Sequence, residues 1–201
     1  ALGIRHGTFQ QDDAAIEAQR RERQAKVVQK RNNARQIWTT AQSIIGTEGE
    51  RYLRSRGITC SLPACLRWAT QAYHGPSKTR CSAIIADVAP TGGIHRTFFD
   101  QGGLRLTQNA KMMLGPCAGG AVRLSGGVGP LLVCEGLETG LSLLSGLLSV
   151  SHKVWAALST SGMKTVSLPP DPDELIVATD GDEAGRTAGL ALASHAYALG
   201  W

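Results

Sequence analysis

Three features that many proteins use are missing from this 201-residue sequence. The longest apolar stretch, residues 141–150, is interrupted by Ser145 and Gly146 and is too short to cross a bilayer, so no membrane partner is expected. None of the five cysteines belongs to a CxxC pair, which excludes a paired-cysteine zinc site and favours reduced thiols. The N-terminus has no apolar signal segment, so we expect a cytoplasmic location.

The net charge of +5 conceals opposite charges in different parts of the chain. Residues 1–56 and 57–130 are both basic, whereas residues 131–201 carry 8 acidic and only 3 basic side chains. A basic surface beside an acidic pocket suits a polyanion whose phosphates reach a bound metal. The alternative is a solvated charged surface, and for residues 1–35 alone this alternative is favoured.

The first part of the chain has helical patterns. Residues 12–35 have the composition of a charged helix with a narrow apolar face, typical of an extended arm. Apolar residues at helical spacing between 34 and 45 predict a helix that ends at Gly46. A second short helix is predicted at 48–56 and ends at Gly57 in the same way.

The remaining patterns are β-rich. Residues 81–99 contain two β-type runs separated by Ala-Pro-Thr-Gly, which predicts a hairpin. Residues 100–130 are glycine-rich and irregular, with a basic patch formed by Arg105, Lys111 and Arg123. From residue 131 onward strands alternate with helices, a pattern that favours a parallel sheet.

The sequence therefore predicts an α/β fold in three parts. A basic helical arm (1–57) comes first and a small basic α+β subdomain (58–130) follows. An α/β domain with a parallel sheet flanked by helices (131–201) ends the chain. Because the chain stops at Trp201, just after a helix and where another strand would be expected, we expect this last domain to be truncated.

Acidic residues stand where two of the predicted strands end. Glu135 follows the run LLVC, and Asp180 and Asp182 follow the run LIVAT. Because parallel strands end at the same edge of a sheet, the three carboxylates are predicted to converge there on a divalent cation. A single acid at such a place is as often a helix cap. The metal site is favoured because Asp180 and Asp182 straddle one glycine, and like charges this close need a cation or a proton.

The order strand-Glu-Gly-helix followed by strand-Asp-Gly-Asp resembles the Toprim domain, which bacterial primases, type IA and type II topoisomerases and some nucleases share. This resemblance implies that Glu135, Asp180 and Asp182 bind Mg²⁺ (or Mn²⁺) and support phosphoryl chemistry on nucleic acid. Glu138, one helical turn after Glu135, could support the metal or act as a base, but a solvated acid on the helix surface is the favoured alternative.

The segments GIHRTFFD and AKMMLGP resemble the basic subdomain that precedes Toprim in the primase/helicase proteins of phages, plasmids and integrated elements. The resemblance covers roughly residues 34–201. It implies that Arg96 on a strand and Lys111 in a following loop face the template and the incoming nucleotide. Arg105 and Arg186 are further candidates for contacts with nucleic acid or nucleotide. His95 could touch phosphate, although an ordinary strand histidine is an equal alternative.

These features together predict a primase-like enzyme that performs metal-dependent nucleotidyl transfer on single-stranded DNA, using nucleoside triphosphates to make RNA primers. No GxxxxGK[ST] motif is present, so a replicative helicase would act in trans or on a longer chain. Two alternatives stay open. One is nuclease or topoisomerase chemistry, although Tyr52, Tyr73 and Tyr197 have no nucleophile-like context. The other is a non-catalytic, DNA-binding replication accessory domain.

Overall fold

The structure, a computed structural model, describes residues 13–148 and 151–201. The first twelve residues of the predicted arm lie outside the described residues. No helix among the described residues is both long and apolar enough to cross a bilayer.

The first part of the chain forms one antiparallel sheet with two helices. Its strands pair in the order β1-β2-β3-β4-β5. The elements in chain order are α1 (Asp13–Thr40), β1 (Gln42–Ser43), α2 (Glu48–Ser55), β2 (Leu66–His74), β3 (Thr79–Val88), β4 (Gly93–Phe99) and β5 (Lys111–Leu114). The predicted hairpin is confirmed as β3 and β4, and its turn contains a cis peptide bond between Ala89 and Pro90.

The long first helix differs from the prediction at its end. The helix stops at Thr40 rather than continuing to Gly46, because Gln42 and Ser43 pair with Trp68 and Arg67 on β2. Residues 14–33 are almost entirely exposed, and Ala34 is the first fully buried position of this helix. Residues 14–33 are therefore the larger, solvated part of α1, and its last two turns pack on the sheet. The shorter helix α2 was predicted correctly. Gly57, two residues after its end, has φ +79.

The second sheet contains four strands in the order β6-β8-β7-β9. β7 is parallel to both β8 and β9, as the strand–helix alternation predicts, whereas β6 is antiparallel to β8 and was not predicted. The elements are β6 (Val122–Arg123), β7 (Leu131–Cys134), α3 (Leu137–Ser142), a distorted turn (Leu143–Leu147), β8 (Lys153–Ala156), α4 (Thr160–Thr165), β9 (Leu175–Ala178) and α5 (Glu183–Ala198).

One apolar cluster joins the two sheets. It contains Trp68, Ile84 and Phe99 from the first sheet and Leu132, Cys134 and Val154 from the second, together with Leu53 of α2 and Leu137 and Leu141 of α3. The other face of the first sheet is covered by α1, and the other face of the second by α4 and α5. Trp38, Trp68 and Trp155 are all buried. The two sheets therefore share one apolar core, and burial of this surface stabilises their packing.

Candidate active site

The ends of two parallel strands set the position of the acidic residues. β7 and β9 pair in register from Leu131–Leu175 to Cys134–Ala178. Glu135 follows β7 directly, and Asp180 comes two residues after the end of β9. The residues after β7 and β9 therefore lie at the same edge of the second sheet, which we call the carboxyl edge (Glu135 and residues 180–182).

Electrostatic interactions link the three acids. Burial raises the pKa of Glu135, and the negative charges of Asp180 and Asp182 raise it further. The positive charge of Lys111 and a hydrogen bond from the backbone N–H of Thr160 act in the opposite direction and lower this pKa. The carboxyl edge thus concentrates negative charge, and Lys111 is the cation that offsets part of it.

The loop after β8 also holds Glu135. The backbone N–H of Leu158 donates to the carbonyl oxygen of Glu135 at 2.7 Å. Leu158 has φ +72, a left-handed conformation that is costly for a branched residue. The neighbouring Ser159 caps α4 by accepting a hydrogen bond from the backbone N–H of Gly162. The backbone of Glu135 is therefore held by the loop after β8 as well as by its own strand, β7.

The Asp-Gly-Asp turn is built tightly against α5. Asp182 is the N-cap of that helix, and its Oδ1 accepts from the backbone N–H of Gly185 at 2.7 Å. A Cβ at Gly185 would come within 2.6 Å of the carbonyl oxygen of Asp180, so only glycine fits there. The guanidinium of Arg186 donates to the carbonyl oxygen of Gly181 and so returns to the same turn. The capping alternative is thus correct for Asp182, whereas the side chain of Asp180 is exposed.

The acids fit a hard divalent cation by type but are not gathered around one. Carboxylate oxygens are the ligands that Mg²⁺ prefers, and the pKa of Glu135 is raised by burial first and then by the charges of Asp180 and Asp182. Across residues 13–148 and 151–201, no three or more His, Cys, Asp or Glu side chains lie close enough together to hold a metal ion. The assignment of Glu135, Asp180 and Asp182 as metal ligands stays a prediction.

Lys111 projects from the first sheet toward this edge. It is the first residue of β5, not part of a loop as predicted, and it pairs with Thr97, which in turn pairs with Ile84. Side chains paired across strands share a face, so Lys111 stands on the face that packs against the second sheet. Its Nζ lies 3.9 Å from Oε1 of Glu138, and its charge reaches Glu135.

Arg96 points the other way. It pairs with Ile85 and Met112, so it lies on the opposite face, beneath α1. It is 7% exposed, burial lowers its pKa, and its guanidinium donates to the carbonyl oxygens of Tyr73 and Met113 at 3.2 and 3.3 Å. Arg96 and Lys111 therefore cannot contact one ligand together in this arrangement, which corrects the expectation that both face the substrate.

The predicted basic patch is also divided. Arg105 is exposed and lies close to Tyr52, where its charge partly opposes the rise in the pKa of the hydroxyl that burial and Glu138 cause. Its side chain lines a cleft of 420 Å³ together with Arg51 and Tyr52. Arg123 instead stacks on Trp155 at 4.7 Å, on the face of the second sheet that α4 and α5 cover. Only Arg105 and Lys111 of this patch lie on the side of Tyr52 and Glu138.

His95 shares a face with Lys111 but lies deeper. It is 4% exposed, and burial lowers the pKa of its imidazole to about 4, with smaller contributions from Lys111 and Arg96. A neutral, buried ring does not attract phosphate, so the structure favours the alternative of an ordinary strand histidine.

Glu138 is the functional candidate that the sequence undervalued. Its Oε1 accepts from the hydroxyl of Tyr52 at 3.0 Å, and its Oε2 accepts from Nε of Arg56 at 3.0 Å. With Lys111 at 3.9 Å and only 23% of the side chain exposed, it is not a solvated helix acid. Its spacing from Glu135 signalled proximity to the edge, but nothing local links it to partners more than 80 positions away.

Comparisons with known proteins assign two parts of the chain. Residues 130–201 match the family described as Toprim domain, which supports a Toprim-domain protein. Residues 28–124 match a domain of unknown function (DUF7146), a segment that runs from within α1 to the residue after β6. No curated protein and no solved structure matches the chain. Toprim domains occur in enzymes such as primases and nucleases and generally bind Mg²⁺ through acidic residues, so a metal-dependent function on nucleic acid is supported in a general sense.

Proposed function

We propose that this chain performs primase-like nucleotidyl transfer on single-stranded DNA and makes RNA primers for replication of a phage or mobile element. One observation carries the proposal. Lys111, from the basic antiparallel sheet, stands beside the carboxyl edge and offsets the charge of Glu135. A cation that faces carboxylates across two packed sheets suits a triphosphate held between a metal and a lysine.

The residues take distinct roles in this proposal. Glu135, Asp180 and Asp182 would hold Mg²⁺ or Mn²⁺, which supplies Lewis-acid stabilisation of phosphate charge when bound. Lys111 binds a phosphate oxygen of the incoming nucleotide and offsets the negative charge that develops during transfer. Arg105 and Arg186, both exposed, contact phosphates of template or nucleotide. Arg96 takes no contact role, because its guanidinium supports the backbone of the first sheet.

The proposal includes partners and a location. Single-stranded DNA and nucleoside triphosphates are the substrates, and a replicative helicase acts in trans or on a longer chain. The excess of basic residues before residue 131 supports a polyanionic partner. A cytoplasmic location belongs to the same proposal.

A primer-synthesis assay tests it. The parent protein is incubated with single-stranded DNA, ribonucleotides and either Mg²⁺ or Mn²⁺, alongside Asp180→Asn and Asp173→Asn. Asp173 precedes the same strand at its opposite end, so the second variant makes the same charge change away from the edge. We expect primers from the parent and from Asp173→Asn but none from Asp180→Asn. A parent that makes no primer with either metal contradicts the proposal.

A second candidate is a non-catalytic, DNA-binding accessory domain. The observation that favours it is that Asp182 serves as a helix cap and that the described residues gather no three-ligand group. DNA binding that is unchanged by metal and by Asp180→Asn would support this candidate. Topoisomerase chemistry is less well supported, because burial and Glu138 raise the pKa of Tyr52 and so disfavour a phenolate nucleophile.

A further inference from the structure

Three donors from the first part of the chain converge on the single carboxylate of Glu138. Tyr52 lies on α2, Arg56 follows that helix, and Lys111 begins β5, while Glu138 lies in the first turn of α3. The hydroxyl of Tyr52 and Nζ of Lys111 approach Oε1 at 3.0 and 3.9 Å, and Nε of Arg56 donates to Oε2 at 3.0 Å. Both carboxylate oxygens are therefore engaged by donors of another subdomain.

Several cations surround the carboxylate of Glu138. Arg56 and Lys111 both face Glu138, and Arg105 adds a third cation beside Tyr52. The side chains of Arg56 and Lys111 remain 60% and 47% exposed, so a ligand can reach them from solvent. Hydroxyl, guanidinium and ammonium groups are also the donors from which phosphate oxygens accept hydrogen bonds in proteins.

The position of the cluster connects it with the carboxyl edge. Glu138 lies three residues after Glu135, close to one helical turn, and Lys111 interacts with both carboxylates. A phosphate bound in place of the Glu138 carboxylate would therefore lie next to the phosphate that the proposed metal holds.

We infer that Tyr52, Arg56 and Lys111 form a phosphate-binding subsite, which the carboxylate of Glu138 occupies until a phosphate group displaces it. The phosphate comes from a nucleoside triphosphate or from the backbone of single-stranded DNA, a substrate class that rests on the proposed function. Glu138 lowers the affinity of the subsite in two ways. Its carboxylate competes for the donors, and its charge repels the incoming phosphate.

Glu138→Gln tests this competition directly. Glutamine keeps the shape and an oxygen that accepts from Tyr52, but it removes the charge that holds Arg56 and Lys111. Binding of ATP and of a fluorescent oligothymidylate is measured separately at low salt without divalent metal. Asp173→Asn is the matched control, because it makes the same charge change at a 3.9 Å ion pair with Lys153 away from the carboxyl edge.

We expect Glu138→Gln to bind one of the two ligands about three- to tenfold more tightly than the parent, and Asp173→Asn to change affinity less than about twofold. The ligand that responds identifies the source of the phosphate. Arg56→Gln, which changes a largely exposed side chain, should weaken the same ligand by a similar factor. Thermal melts establish that each variant is folded.

Two outcomes overturn the inference. If Glu138→Gln binds both ligands no more tightly than Asp173→Asn does, Glu138 only makes structural contacts between the two parts of the chain and does not compete with a ligand. If Glu138→Gln does not fold, Arg56→Gln decides alone, and unchanged affinity for both ligands refutes the subsite. Because these measurements need neither metal nor catalysis, a parent without primer synthesis can still show the subsite, and an active parent can still lack it.

Discussion

The two sheets position their charged residues by different means. In the second sheet the acids follow the ends of parallel strands, so the direction of the backbone alone brings Glu135 and the Asp-Gly-Asp turn to one edge. In the first sheet Lys111 stands on a strand face, and its direction depends on which residue of β4 it pairs with. A shift of one residue would turn Lys111 to the face of Arg96. The anionic half of the site thus depends on topology and the cationic half on register.

The largest effect is expected at the carboxyl edge. Asp180→Asn should reduce metal-dependent primer synthesis by at least about 10²-fold, because it removes a charged oxygen ligand from the proposed Mg²⁺ site. The metal-free variant should be as stable as the parent or slightly more stable, since the charge of Asp180 raises the pKa of Glu135. Thermal melts with and without Mg²⁺ measure this. A destabilised variant that gains as much stability from Mg²⁺ as the parent would remove Asp180 from the site.

The cationic half is tested by Lys111→Ala. Loss of one preorganised charge at a transferring phosphate should lower the rate of primer synthesis by about 10²-fold, with little change in stability because the side chain is 47% exposed. The matched control is Lys164→Ala, which removes an exposed lysine from α4 on the far side of the second sheet. Equal rates for the two variants would show that Lys111 only balances surface charge.

Protonation of His95 tests the packing behind Lys111. Burial holds the folded-state pKa at about 4, below the ordinary value of 6.5, so the unfolded chain binds more protons between these values. Stability is therefore complete above pH 6.5 and falls as the pH drops toward 4, by up to ~2–3 kcal/mol from this residue. Urea unfolding across this range should show a shallower fall for His95→Gln. The exposed His195→Gln should retain the slope of the parent, and identical slopes in all three proteins would contradict the prediction.

The opposite face of the first sheet should respond in stability alone. Arg96→Gln leaves the carbonyl oxygens of Tyr73 and Met113 without their guanidinium donors, which should lower the free energy of unfolding by ~1–2 kcal/mol. Affinity for single-stranded DNA and its salt dependence, measured where the variant is folded, should be unchanged. A flatter salt dependence would mean that Arg96 reaches phosphate after all.

The sequence was most informative where local pattern and topology agree. Alternating strands and helices after residue 131 predicted the parallel pairing, and the acids after two strands predicted the shared edge. The first sheet was harder, because a bulge between Ala69 and Ala72 interrupts the alternation in β2 and because β5 is a four-residue strand beside glycines.

The partners of Glu138 could not be predicted from local pattern. Tyr52 belongs to α2 and Arg56 follows it, and the packing of that helix depends on an apolar cluster formed by both sheets. Nor does composition tell which face of a strand a charge occupies, so Arg96 and Lys111 looked equivalent. Only the pairing of both residues with their neighbours separates them.

The uneven burial of α1 has a consequence for the rates at which its amide hydrogens exchange with solvent. Residues 14–33 extend ~30 Å at 1.5 Å per residue, and their exposed surface carries i,i+4 ion pairs such as Glu17–Arg21 and Glu22–Lys26. From Ala34 onward the same helix packs on the first sheet. Amide hydrogens of one continuous helix should therefore have two lifetimes: the outer turns open by local fraying and exchange quickly, whereas the inner turns open only with the core.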